Sequence, residues 1–161
     1  MIIYEGIFFL EEEVDELIHS QEITQLQKIY RPLHITFKFR PKREEVFDDL
    51  VGSEIQVLIV GYGCDGQNSG FEVILHEDVE RYFINMDEHN PEEKKIPHIT
   101  ASLALGASAV NTKGLKFVPL AEPIAVTGRF GYCVREKGKE SISFEPVNGS
   151  KTKKIGNKPN N

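Results

Sequence analysis

Two copies of one tripeptide, His34-Ile35-Thr36 and His98-Ile99-Thr100, recur in the two halves of this chain. Around the first copy, Leu33, Ile35, Phe37 and Phe39 alternate with His34, Thr36, Lys38 and Arg40. Around the second, Ile99, Ala101 and Leu103 alternate with His98, Thr100 and Ser102. A period of two is the pattern of a half-buried strand, so the His and Thr of each copy share one face and the isoleucine between them points to the other. If the two strands lie side by side, one groove receives two imidazoles and two hydroxyls. An imidazole, whose ordinary pKa is near neutrality, can take or give a proton. Placed on opposite sides of a phosphorus atom, one can deprotonate an attacking water while the other protonates the departing oxygen. Thr36 and Thr100 can then donate hydrogen bonds to the non-bridging oxygens, where charge grows. Alternatively, both His are buried strand residues bonded to neighbouring backbone; the matched Thr in both copies favours the chemical reading. No His, Cys and carboxylate cluster shows metal-ligand spacing, so no metal and no other cofactor is expected.

At these residues the chain resembles the two-histidine phosphoesterase superfamily, whose mark is a pair of His-apolar-Thr/Ser-apolar motifs, here His34-Ile35-Thr36-Phe37 and His98-Ile99-Thr100-Ala101. Ala101 is smaller than the apolar residue that pattern prefers. The resemblance extends to the opening Tyr4-Glu5-Gly6-Ile7-Phe8-Phe9-Leu10 and its acidic helix, and to the segment from Val57 to Leu75 with its Gly/Asp turn. It covers roughly residues 2 to 147. Among the branches, the chain is most similar to the cyclic phosphodiesterase domains of fungal-type tRNA ligases, which also carry a short polar loop after the second motif, as Gly106 to Gly114 does here. The resemblance implies an α+β fold, two-lobed and pseudo-twofold, with antiparallel sheets around a central groove and helices outside. It implies a metal-independent phosphodiesterase acting on 2′,3′-cyclic phosphates of nucleotides or RNA ends, with His34 as general acid and His98 as base. A sibling activity on 2′-5′-linked or cyclic oligonucleotide signals fits the same motifs. A module that binds nucleotides without cleaving them belongs to a different class, and intact His and Thr in both motifs count against it.

Further candidates are softer. Tyr4, Phe130 or Tyr132 could stack on a nucleobase, or could be core aromatics. Lys38 and Arg40 alternate in phase with His34 and could raise phosphate affinity, or could be solvated charges at a strand end. Arg129 lies between Gly128 and Gly131, where backbone could approach a ligand. His19, His76 and His89 lack a matching Thr and read as surface residues.

Composition agrees with one compact domain: 161 residues, 40% apolar, enough for a sizeable core. No apolar run approaches the ~18 residues of a membrane span, and the N-terminus lacks the basic region of a secretory signal. Cys64 and Cys133 match no metal or redox spacing and read as free thiols in a reducing, cytoplasmic setting. The net charge is -6, yet Lys151, Lys153, Lys154 and Lys158 all lie near the end, so the body is more acidic still. Such a body argues against long duplex nucleic acid and for a small anionic substrate, a nucleotide or RNA-terminal cyclic phosphate, met by a monomer. The domain is expected over 1–147 and a disordered Lys/Asn-rich tail over 148–161.

Strands and helices interleave along the chain, the α+β plan. Ile2 to Leu10, apolar on both faces, reads as a central strand. Glu11 to Ser20 reads as an amphipathic helix, which Gln21 to Tyr30 extends or follows until Pro32. Lys42 to Leu50 is expected as a short helix with Val46, Phe47 and Leu50 inward. Glu54 to Tyr62 and Gly70 to Leu75 form a hairpin around Asp65-Gly66. His76 to Asn85 is ambiguous, and Asp87 to Lys95 is a polar loop. Leu115 to Leu120, Ile124 to Val134 and Ser141 to Val147 read as strands, the last pair turned at Lys137-Gly138-Lys139.

Overall fold

The computed structural model describes residues 1–20, 25–84 and 96–148. The expected polar loop, and the tail from residue 149 on, lie outside them. The described residues form a mixed α/β structure dominated by one antiparallel sheet. Its strands are β1 (Ile2–Phe9), β2 (Lys28–Ile29), β3 (Leu33–Phe39), β4 (Glu54–Cys64), β5 (Asn68–Leu75), β6 (His98–Leu103), β7 (Val118–Glu136) and β8 (Lys139–Ser143). The ladder runs β2-β6-β5-β4-β7-β1-β3, with β8 added to β7. The sheet curls like half a barrel, which brings β3 close to β6 although the two share no ladder. The motif strands are therefore not hydrogen-bonded neighbours at the sheet centre. They belong to opposite ends of one sheet that its curl brings together.

One face of the sheet is the core. Ile7, Phe9, Ile35, Phe37, Val57, Ile59, Phe71, Val73, Ile99 and Phe130 are buried there. The helix α1 (Glu12–Ser20) covers part of that face with Ile18, and α2 (Glu77–Ile84) covers another part with Val79 and Phe83. The ambiguous stretch is thus helical. Glu77, Asp78 and Glu80 load its first turn with negative charge, which suits the positive end of the helix dipole, and Val79 and Phe83 stand one turn apart on the buried side.

Three expectations change for local reasons. The described part of 21–30 is no helix: Leu26 N–H donates to Ser102 Oγ, Tyr30 N–H donates to the Ala101 carbonyl, and Lys28–Ile29 forms the short edge strand β2 on β6. Over Lys42 to Leu50 only Arg43–Glu45 completes a 3-10 turn. Beyond it the chain closes separate local turns, with the Leu50 and Val51 amides on the Phe47 carbonyl, while Phe47 N–H reaches Glu5 Oε1 and the Asp48 carboxylate accepts the amides of Val147 and Asn148. Val46 and Leu50 are nevertheless buried. The two strands expected over Leu115 to Val134 are one long strand, β7. The hairpin turns stand as expected, with Asp65 Oδ1 accepting two amides across Gly66 and positive φ at Lys137 and Gly138, the backbone a two-residue hairpin turn needs.

The two ends of the sheet repeat one local construction. Gly6 on β1 stands opposite Thr36, and Gly70 on β5 stands opposite Thr100. In both ladders the register shifts immediately before that glycine, between Glu5 and Gly6 and between Ser69 and Gly70. A β-carbon on Gly6 would run into the Ile35 carbonyl oxygen; one on Gly70 would lie 2.6 Å from the Ile99 carbonyl oxygen. Each glycine lets its strand close against the backbone of the motif isoleucine. Gly6→Ala and Gly70→Ala are each expected to lower the unfolding free energy by about 1–3 kcal/mol, read by urea denaturation. Gly114→Ala, with open space around its β-carbon, should leave it nearly unchanged.

Candidate active site

Ile35 and Ile99 are both fully buried in the core, so His34, Thr36, His98 and Thr100 are turned to the opposite face of the same sheet. The curl brings the two imidazoles within electrostatic reach of one another. Their anchorage is the same: His34 Nδ1 lies 2.8 Å from the Pro32 carbonyl, and His98 Nδ1 lies 2.8 Å from the Ile96 carbonyl. A carbonyl only accepts, so Nδ1 carries the hydrogen and Nε2 of each neutral ring presents its lone pair. Both rings thus offer the same nitrogen, in the same tautomer, to whatever lies on that face.

Their surroundings differ. His34 is only 7% exposed and stacks on Tyr4 at 4.5 Å between centroids, with Phe8 and Tyr30 both at 5.6 Å. Burial pushes its imidazolium down to about 4, against a small opposing pull from the Pro32 carbonyl. His98 is less buried, and burial lowers it too, with a further push from the positive charge of Lys113. Opposite His34 on the neighbouring strand stands Phe8; opposite His98 stands Glu72. The His34 imidazole packs on the Phe8 ring, whereas the Glu72 carboxylate reaches over Gly61 on the next strand.

Thr100 is buried and its hydroxyl donates to Thr112 at 2.9 Å, so the hydrogen expected to reach a phosphate is spent inside the protein; Thr112 also accepts from Asn68 Nδ2 at 3.0 Å. Asn68 also donates to the Ser108 carbonyl. This chain ties the 3-10 turn Ala109–Gly114 to the second motif and sets Lys113 beside His98. Thr36 is half-buried opposite Gly6. Lys113, Thr112, Tyr30 and Glu72 were missed in the sequence. The polar loop after the second motif was the available signal for the first two; nothing in the local pattern marks the others.

Of the softer candidates, Tyr4 is at the site, but its ring face is spent on His34. Phe130 and Tyr132 are not: Phe130 lies in the core, edge-on to Phe37 at 5.1 Å, and the Tyr132 hydroxyl is held by the Glu145 carbonyl at 2.6 Å. Both point to the core face because they alternate in phase with Ile7 across the β1–β7 ladder. Lys38 does not share the His34 face. The register shift at Glu5/Gly6 sets it opposite the buried Glu5, and its ammonium pairs with Glu45 at 2.7 Å. Glu5 is itself pushed up to about 8 by burial. The shift brings Phe39 instead to lie opposite Tyr4. Arg40 sits at the strand end with φ of 50°, its guanidinium over the Phe39 ring. Arg129 is on the His34 face, directly opposite Phe8, with its guanidinium 5.3 Å from the Phe144 ring.

A concavity lies beside His34, not between the two imidazoles: about 230 Å³, lined by Phe8, Arg129, Glu54, Thr127 and Phe144 among others. No helix among the described residues is long and apolar enough to cross a membrane. Compared with models of known protein families the chain matches none, and it matches no curated protein.

A buried His with a depressed pKa makes the folded state sensitive to acid. Above pH 6.5 His34 is neutral both folded and unfolded. As pH falls, the unfolded chain takes up the proton first, so stability is lost between 6.5 and about 4 and the loss then levels off. His34→Gln is expected to flatten this slope, removing on the order of 3 kcal/mol of the acid-dependent loss. Urea unfolding of both proteins across that range reads it.

Proposed function

We propose that this protein is a metal-independent phosphodiesterase that opens 2′,3′-cyclic phosphates of nucleotides or RNA ends by paired imidazole catalysis, within a pseudo-twofold arrangement. The observation that carries this reading is the matched anchorage. Two imidazoles, each fixed through Nδ1 to the carbonyl two residues upstream, offer Nε2 on the same face, each with a motif Thr two positions along. A binding module has no need to fix two proton-transfer atoms in one tautomer. The equivalent glycines, register shifts and sheet positions of the two ends support the pseudo-twofold relation.

In the reaction, Nε2 of one imidazole takes a proton from water as its oxygen bonds to phosphorus. The P–O bond to one ribose oxygen breaks, and that oxygen receives the proton carried by Nε2 of the other imidazole. Thr36 donates to a non-bridging oxygen, while Thr100, whose hydroxyl donates to Thr112, holds the turn that carries Lys113, and Lys113 adds positive charge on the His98 side. The environments favour His34 as the base, since burial and its aromatic neighbours keep it neutral. That leaves His98, the less buried of the two, as the group that carries the proton, a form that burial and Lys113 disfavour until an anionic phosphate is bound beside it. This division is the reverse of the one the resemblance implies.

Turnover on a panel of nucleoside 2′,3′-cyclic phosphates, 2′-5′-linked dinucleotides and cyclic dinucleotides, with products read by mass spectrometry, tests the reading. Activity is expected to persist in EDTA, and rescue of a chelated protein by zinc or manganese would overturn the metal-independent mechanism. His34→Ala and His98→Ala should each lower kcat by roughly 10²–10⁴-fold, Thr36→Ala and Thr100→Ala by about 10–10³-fold. The rate against pH should be bell-shaped, its limbs belonging to the pair. Near-normal rates in both His variants would leave only a binding groove.

A further inference from the structure

The imidazole of His34 begins a row that continues across three more strands. Phe8 stands directly opposite His34, Arg129 directly opposite Phe8, and Glu54 directly opposite Arg129. Directly opposed residues of antiparallel strands have their α-carbons about 5 Å apart and their side chains on one face. The row therefore runs about 10 Å from His34 to Arg129, the reach of one nucleoside. It ends in the concavity of about 230 Å³ between Phe8, Phe144, Arg129, Glu54 and Thr127. That volume falls below the ~300–1,000 Å³ of pockets that enclose whole small ligands. It suits a single flat ring system whose remainder lies outside.

The chemistry of the lining is specific. Phe8 is buried and packs edge to face with Phe144, 83° apart at 6.3 Å, so the half-buried Phe144 is the ring left at the surface for a base to stack on. Arg129 and Glu54 approach to 3.9 Å, with side chains about half exposed, so both keep hydrogen-bonding capacity for a third partner. A guanidinium presents two parallel N–H donors, and a carboxylate presents two acceptors. Among the four common bases only guanine offers a doublet to each, the O6 and N7 acceptors to arginine and the N1–H and N2–H donors to a carboxylate. Adenine, cytosine and uracil each match one doublet at most.

We infer that the Phe8–Arg129–Glu54 concavity is a guanine subsite, which makes the protein selective for a guanosine nucleotide whose phosphate lies at His34 and His98. The inference rests on the diesterase reading for the position of the phosphate, while base selection can be measured apart from cleavage. Two measurements test it together: kcat/KM on the 2′,3′-cyclic phosphates of guanosine, adenosine, cytidine and uridine, and calorimetric binding of the four corresponding 2′-monophosphates. The wild type is expected to prefer guanosine by roughly 10- to 100-fold in both. Glu54→Gln and Arg129→Ala, both at half-exposed positions, should collapse that ratio towards one. Selective binding of guanosine monophosphate without cleavage of any diester would support the subsite and overturn the diesterase reading. Cleavage with no base preference, or a preference that both variants leave intact, would overturn the subsite alone. Neither cleavage nor selective binding would overturn both.

Discussion

Burial of Ile35 and Ile99 in one continuous core is the constraint on which the site depends. Each isoleucine is the middle residue of its motif, and in a strand the neighbours of a buried residue must point to the other face. Because both isoleucines enter the same core, both His and both Thr emerge on the same side of the same sheet. Fully burying an isoleucine is worth about 1.5–3 kcal/mol, so a one-residue slip of either strand would lose that and drive an imidazole into the core. Register, orientation and chemistry are thus coupled through two apolar side chains that touch no substrate.

The curl of the sheet supplies the second half of the arrangement. β3 and β6 lie far apart in ladder order and share no backbone hydrogen bonds, yet they end close together. Glycines opposite the motif threonines, each next to a register shift, allow the strands to pass close to one another at the same point in both ends. Bulges increase local twist, and a strand with no β-carbon can approach its neighbour's carbonyl. The Nδ1 anchors of His34 and His98 use the carbonyl at the same place, two residues upstream, in both strands.

Equivalent backbones carry unequal side chains, and that inequality is where function enters. Phe8 and Glu72 occupy corresponding positions beside the two imidazoles. Aromatic stacking and burial hold His34 neutral, while His98 is less buried and lies near Lys113. Two groups of the same kind in different environments can divide acid and base work between them. The same row of cross-strand neighbours that begins with Phe8 leads on to Arg129 and Glu54, so the apolar partner of one imidazole is also the edge of the concavity beside it.

The sequence by itself determined the strands of both motifs, the face each His and Thr would share, and the hairpin turns at Asp65-Gly66 and Lys137-Gly138, because period-two alternation and turn chemistry are local properties. It did not determine the face of Lys38, since a single register shift reverses every side chain beyond it, as it brought Phe39 to the His34 side. It did not distinguish Phe130 and Tyr132 as core residues, since β7 carries bulky or charged groups on both faces and only pairing with β1 decides which is buried. The stretch Lys42 to Leu50 had the spacing of a helix but gave its Phe47 amide to Glu5 and its Asp48 carboxylate to Val147 and Asn148, partners remote in the chain. Tyr30, Glu72, Thr112 and Lys113 became part of the site only through the sheet's curl and the loop tied to Thr100 by Thr112 and Asn68. Contacts of that kind depend on where distant strands end in space, which no local pattern of residues encodes.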